Sequence, residues 1–243
     1  VSPYRNIIQY VQTLGIRITN SQTGCYVIST MDIRVEPLPT LIPPSRPYTL
    51  CDDDQDGYTT FDLTTLLSGM LNGITTYTVS FHETYDDALL NGTTIPNPAA
   101  YDNVNPYGQT VFVRAEDNLT HCVSIISIQL VVNPGPVAPI NLADIVVCDT
   151  DTNSQDGITR VDLTQRNADA LAVQQGAASD YIVEYYLSQT AADIGTSPII
   201  PATSYPATNG QTIWVRVEHI TTGCYNTGTF DIVINSPLLL ITP

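Results

Sequence analysis

The sequence contains no lysine: its eight basic residues are all arginine, set against 24 Asp and Glu, for a formal net charge of −16. A surface of that sign repels phosphate backbones and anionic headgroups, which excludes nucleic acid and adsorption to acidic membranes. What it attracts is cations. Charge of either sign is scarce, at 13% of residues, about half the usual share, so long helices laced with salt bridges are excluded too. No run approaches the roughly 20 apolar residues of a membrane span, which argues against membrane insertion. Motifs of catalysis are also missing. There is no C-x-x-C, H-E-x-x-H, G-x-S-x-G, Walker loop or G-x-G-x-x-G, so zinc ribbons, zincins, hydrolase elbows and nucleotide loops have no footing.

What is present is Thr, Ser, Asn, Gln and Tyr, punctuated by 17 Pro and 14 Gly, with 43% apolar residues to build cores. That is the profile of an extracellular all-β protein. Within it lies a tandem repeat. Residues 11–26, 108–123 and 210–225 match, with Arg17, Arg114 and Arg216 as markers 97 and 102 residues apart. In each copy a cysteine follows eight positions later: Cys25, Cys122 and Cys224. A second marker, Cys-Asp opening an acidic loop, occurs at Cys51 and Cys148, and the second loop is three residues longer. The domains expected are a partial repeat at 1–37, complete repeats at 38–134 and 135–237, and the start of a further linker at 238–243. Pro-rich joints at 36–47 and 133–139 should be short and stiff, since proline fixes φ and lacks a donor.

Period two marks the strands. Ile213, Val215 and Val217 alternate with Trp214 and Arg216; Val111, Val113 and Ala115 alternate with Phe112 and Arg114. The run after each late cysteine repeats the pattern through Ile128, Leu130 and Val132, and through Phe230, Ile232 and Ile234, so the two runs form a hairpin. Further strands are expected at 58–62, 75–82, 158–162 and 181–187, and helical turns at 63–70 and 85–90. About seven short strands per 100 residues is the arithmetic of tandem immunoglobulin-like β-sandwiches, with a small barrel as the alternative.

In such a sandwich the opening cysteine and the hairpin cysteine are expected at the same end. That pairs Cys51 with Cys122 and Cys148 with Cys224, each bridge closing a loop of about 70–75 residues worth about 4 kcal/mol in chain entropy. Such bridges belong to an oxidising compartment. Cys25 is left unpaired, its partner expected upstream of Val1, as though the sequence began inside a repeat.

The acidic loops carry the strongest candidate site. Asp52, Asp54 and Asp56, followed by Gly57, have the D-x-D-x-D-G spacing of calcium loops: alternate carboxylates converge on one hard cation and the glycine permits the sharp turn. Asp62 is expected to close the site. Asp149, Asp151, Asp156 and Asp162 are the counterparts, with Asn153 as a carbonyl donor, though the inserted residues weaken their spacing. The bland alternative is a solvated Asp-rich turn. Trp214 and Phe112 share a face with Arg216 and Arg114, which suggests a cation–π or stem-packing contact. A ligand platform is disfavoured because the first copy has Gly15 there.

The pieces CDDDQDG, FDLT (61–64), GQTVFVRAED, VDLT (161–164), GQTIWVRVEH and TGCY together resemble a module of very large Bacteroidetes surface proteins. Those proteins are exported by the type IX secretion system and include ones with gliding-motility-associated C-terminal sorting domains. The resemblance covers nearly the whole chain. It implies a secreted, bacterial cell-surface location and a stalk, adhesin-like or filament-forming role without catalytic residues. Its implied partners are neighbouring repeats of a long chain and, in a fibre, other copies. The alternative is a glycan- or protein-binding module. The visible differences between repeats are scattered rather than clustered, which favours the spacer.

Overall fold

The computed structural model describes residues 3–140, 142–151, 153 and 156–237; the expected linker at 238–243 lies outside them. The chain opens with a hairpin, β1 (Val11–Thr19) and β2 (Tyr26–Arg34). The first full repeat follows as β3 (Tyr48–Asp52), β4 (Thr60–Phe61), α1 (Leu67–Leu71), β5 (Tyr77–His82), α2 (Tyr85–Leu90), β6 (Tyr101–Asp102), β7 (Gly108–Asp117) and β8 (Val123–Pro134). The second reproduces that order as β9 (Ile145–Cys148), β10 (Ile158–Val161), α3 (Asn167–Leu171), β11 (Tyr181–Tyr186), α4 (Gln189–Ile194), β12 (Tyr205–Thr208), β13 (Gln211–His219) and β14 (Tyr225–Asn235). Each repeat has one four-stranded sheet, β3-β8-β7-β5 or β11-β13-β14-β9, and one two-stranded sheet, β4-β6 or β10-β12. The chain is thus all-β, in tandem immunoglobulin-like sandwich repeats, as the alternation predicts.

The period-two positions become the core. Val111, Val113 and Ala115 are fully buried, as are Ile213, Val215 and Val217, and Ile128, Leu130, Val132, Phe230, Ile232 and Ile234 on the following strands are buried too. Each of the larger side chains, the valines, isoleucines, Leu130 and Phe230, contributes about 1.5–3 kcal/mol on leaving water. The helical turns are set by caps. Thr84 and Ser188 accept from the amides of Asp87 and Ala191 to start α2 and α4, and Asn91 and Gly195 end those helices in left-handed conformations.

Pairing of β9 with β14 is parallel, with Ile145 opposite Ile232 and Cys148 opposite Asn235. The opening strand therefore lies along the far end of the last strand, eleven residues from the hairpin turn. Strand β8 runs on through Pro134, so the second joint is partly strand, where a proline-rich irregular segment was expected.

Contacts gather the chain into two compact units that do not follow the repeats. One holds the residues up to Tyr48 with Phe61–Tyr101 and Thr110–Gln129; the other holds Thr49–Thr60, Asp102–Gln109 and the chain from Leu130 onward. The acidic-loop end of the first repeat thus belongs with the second repeat. Inside that unit the amide and carbonyl of Val137 pair with the side chain of Gln174, at 2.8 Å each. Gly228 lies so close beneath Pro139 that a Cβ would sit 2.1 Å from its carbonyl oxygen.

Candidate functional site

In the first acidic loop the Asp52 carboxylate is buried and organises the turn. Its Oδ1 accepts from the amides of Asp54 (3.2 Å) and Gln55 (2.7 Å), and its Oδ2 from that of Gly57 (2.6 Å). Burial pushes this carboxyl up, but the Gly57 and Gln55 amides outweigh it and hold it below the usual aspartate range. Gln55 and Gly57 both take positive φ. At Gly57 a Cβ would also meet Cβ of Pro106 at 2.7 Å, so glycine is required there twice over. Asp54, hydrogen-bonded to Asp52 and facing the charge of Asp56, is pushed above the usual range. One oxygen each of Asp52, Asp54 and Asp56 lies within 4.8 Å of the others.

The second loop brings Asp149, Asp151 and Asp156 together within the same limit, but settles its buried carboxylate differently. Asp149 is fully buried. Its Oδ2 accepts from the Gly157 amide at 3.0 Å, while its Oδ1 has no hydrogen-bond partner among the described residues. Asp151 accepts from the Asn153 amide, and Asp156 from the Ile158 amide and the Asn153 side chain, at 2.8–2.9 Å. Asn153, read from the sequence as a carbonyl donor to a metal, gives its side-chain NH2 to Asp156, which leaves its carbonyl oxygen to accept or ligate.

Asp62 and Asp162 do not join these clusters. Each caps a 3-10 turn, 63–66 or 163–166, its Oδ1 accepting from the amide and hydroxyl of Thr64 or Thr164. This corrects the expectation that they close a metal site. The signal was in the sequence: Asp-Leu-Thr ahead of an apolar helical turn is an N-cap pattern.

The cysteines require a larger correction. Cys51 is bonded to Cys224, with Cα atoms 5.6 Å apart, while Cys25, Cys122 and Cys148 are free thiols. The expected pairs, Cys51 with Cys122 and Cys148 with Cys224, fail on geometry. Cys224 precedes the first residue of β14, whereas Cys148 lies opposite Asn235 at its end. Eleven extended residues span about 35 Å, and a disulfide tolerates Cα atoms no more than about 7 Å apart. In the first repeat Gly135 donates to the Asp52 carbonyl, which holds Cys51 beside the end of β8, and Cys122 precedes its start. The bridge that forms therefore links the opening strand of one repeat to the hairpin of the next.

The marker arginines are structural. The Arg216 guanidinium lies 3.4 Å over the Tyr225 ring, on the diagonal across β13 and β14, rather than on Trp214. Its Nη1 donates to the Ala192 and Asp193 carbonyls near the end of α4, and its Nε and Nη2 to Glu218, so the cation sits where a helix end is negative. Arg17 stacks on Tyr26 in the same way at 3.9 Å. His82 is fully buried between the Ser80 hydroxyl and the Thr93 carbonyl, which is a core role. Burial also pushes the Tyr185 and Tyr186 phenols far above their ordinary range, and their hydroxyls donate to Asn167 and Glu184.

No curated protein matches the chain. Similar solved structures include Sidekick-1 immunoglobulin domains 1–4 (8% identity, TM-score 0.24), of which the chain spans 66% with 92% of its own length. A three-immunoglobulin segment of titin matches at 10% identity and TM-score 0.31, covering 93% of this chain and 75% of that one. Drosophila N-cadherin matches at 11% identity and TM-score 0.22, covering 93% and 59%. The description "Flavobacterium inter-domain disulphide bond domain" fits residues 47–136 and again 144–238, and a cysteine bridge joins those two segments. The chain belongs to the Flavobacterium inter-domain disulphide bond domain family.

Proposed function

We propose that the chain is a spacer segment of a large secreted cell-surface protein, in which immunoglobulin-like repeats extend a stalk or filament and hold an adhesive element away from the cell. The observation that carries this reading is the Cys51–Cys224 bridge. A bridge closed within a domain stabilises that domain. One that joins consecutive domains limits bending and unravelling between them, which serves a load-bearing tether. A disulfide of this kind persists in oxidising, extracytoplasmic surroundings. Among the described residues no helix is long and apolar enough to cross a membrane.

The motif resemblance extends the proposal to export by the type IX route, with a gliding-motility-associated sorting domain elsewhere in the full protein, and to association of copies in a fibre. The chain performs no catalysis on this reading, because its buried histidine, its two most buried tyrosines and its arginine markers are committed to packing.

Single-molecule stretching tests the proposal. The bridge spans 173 positions, so the reduced chain should release about 600 Å more contour length than the oxidised one at about 3.5 Å per residue. Surface labelling of intact cells should reach the protein. Residence in the cytoplasm, or turnover of a polysaccharide by the purified chain, would overturn the reading.

A further inference from the structure

We propose that the loop of Asp149, Asp151 and Asp156 binds a hard divalent cation of calcium's kind, a role that goes beyond the spacer function and does not depend on it. The observation behind it is the orphaned oxygen: Asp149 is fully buried, yet its Oδ1 has no hydrogen-bond partner among the described residues. A buried carboxylate oxygen without a donor costs about 1–3 kcal/mol or more, and it is kept in native structures where something else satisfies it. None of the ion pairs among the described residues involves these three carboxylates, and the chain has no lysine to supply a counter-charge.

The geometry suits a cation. Oxygens from all three residues lie within 4.8 Å of one another, and two oxygens that share a calcium ion at about 2.4 Å each are separated by no more than about 4.8 Å. An all-carboxylate donor set selects calcium or magnesium over zinc or copper. Several carboxylates on one loop favour calcium, because magnesium retains most of its water. The remaining contacts are compatible with ligation. Asp151 and Asp156 already accept from Asn153 and Ile158, and each carboxylate oxygen keeps a second lone pair.

The first loop provides the contrast. There the amides of Asp54 and Gln55 fill the position that stands open on Asp149.

The test is calorimetric titration of calcium chloride into the oxidised, chelator-stripped chain, with terbium luminescence as a second readout. A binding event is expected that disappears in Asp151→Asn and in Asp156→Asn and survives in Asp54→Asn. Asp151 and Asp156 are both exposed, so these variants should keep the fold, which circular dichroism checks. No binding by the native chain would overturn the proposal. So would an event that persists undiminished in both second-loop variants, or one lost only in Asp54→Asn.

Discussion

The two repeats carry the same order of strands, matching short helices and the same buried aspartate, and they differ in how that aspartate and the marker arginine are satisfied. In the first repeat the chain itself saturates Asp52 with three amides, while Arg114 keeps a buried Nη1 without a partner among the described residues. In the second, Arg216 is fully engaged by two carbonyls, Glu218 and Tyr225, while Asp149 keeps an oxygen without a partner among the described residues. A repeat therefore fixes where the polar groups lie. Whether a partner is supplied differs between copies: Nη1 of Arg216 finds the Ala192 and Asp193 carbonyls, whereas Nη1 of Arg114 finds none among the described residues. The same holds for the cysteines: equivalent positions are bonded at Cys51 and Cys224 and free at Cys148 and Cys122.

Breaking the bridge is the largest perturbation of this comparison. Cys224→Ser should remove up to about 5 kcal/mol of chain-entropy stabilisation from a loop of this length. It should raise the thiols titrated by a disulfide reagent in the denatured, unreduced chain from the three free cysteines to four, as Cys51 is released. Peptide mapping that recovers Cys51 joined to Cys122 would contradict the pairing.

Asp52→Ala should cost about 3 kcal/mol, since one buried and two part-buried amides lose a charged acceptor. Its pH dependence has a definite sign. A folded-state carboxyl held below its unfolded range contributes stability above that range, and the contribution is lost as the pH falls through the folded value. The substitution should therefore flatten the acid limb below about pH 4. Asp54 has the opposite sign. Its raised carboxyl favours the fold when protonated, and the benefit is lost as the pH rises. Asp54→Asn should thus raise the melting temperature slightly at pH 7 and leave it unchanged at pH 3. A fall at pH 7 would show that the Asp54 charge is needed.

Much of this arrangement was legible in the sequence. Alternation located β5, β7, β8, β11, β13 and β14, and residues 85–90 form the helix expected of them behind the cap of Thr84. Short strands such as Tyr101–Asp102 and Tyr205–Thr208 leave no period to detect, and the second includes Pro206. The disulfide was misread because repeat position says nothing about which end of a sheet a residue occupies. The parallel seating of β9 on β14 carries Cys148 to the far end. The orphaned oxygen of Asp149 could not be read at all, since spacing records carboxylates and not the amides around them.

Gly228→Ala probes a place where the repeats diverge outright, because the equivalent position in the first repeat is Ile126. An isoleucine is accommodated there, whereas Pro139 of the joint runs directly over Gly228. The added methyl must displace backbone, so a loss of about 2 kcal/mol is expected. Denaturation that leaves the midpoint unmoved would mean that the joint yields freely.

The smallest effect concerns Arg114. Arg17 and Arg216 each lie over the tyrosine that follows the hairpin cysteine, but the first full repeat has Val123 in that place. The register is the same, because Thr110 pairs with Gln129 as Thr212 does with Asp231, so Val123 stands diagonal to Arg114 as Tyr225 does to Arg216. Val123→Tyr should place a ring against the guanidinium and stabilise the repeat by about 0.5–1 kcal/mol. The gain should vanish when Arg114 is replaced by methionine, which keeps most of the apolar stem and removes the charge. Urea denaturation of the four members of that cycle separates the two contributions. An equal gain with and without Arg114 would show that the tyrosine acts by covering apolar surface, and that the stack over Arg216 is packing rather than charge recognition.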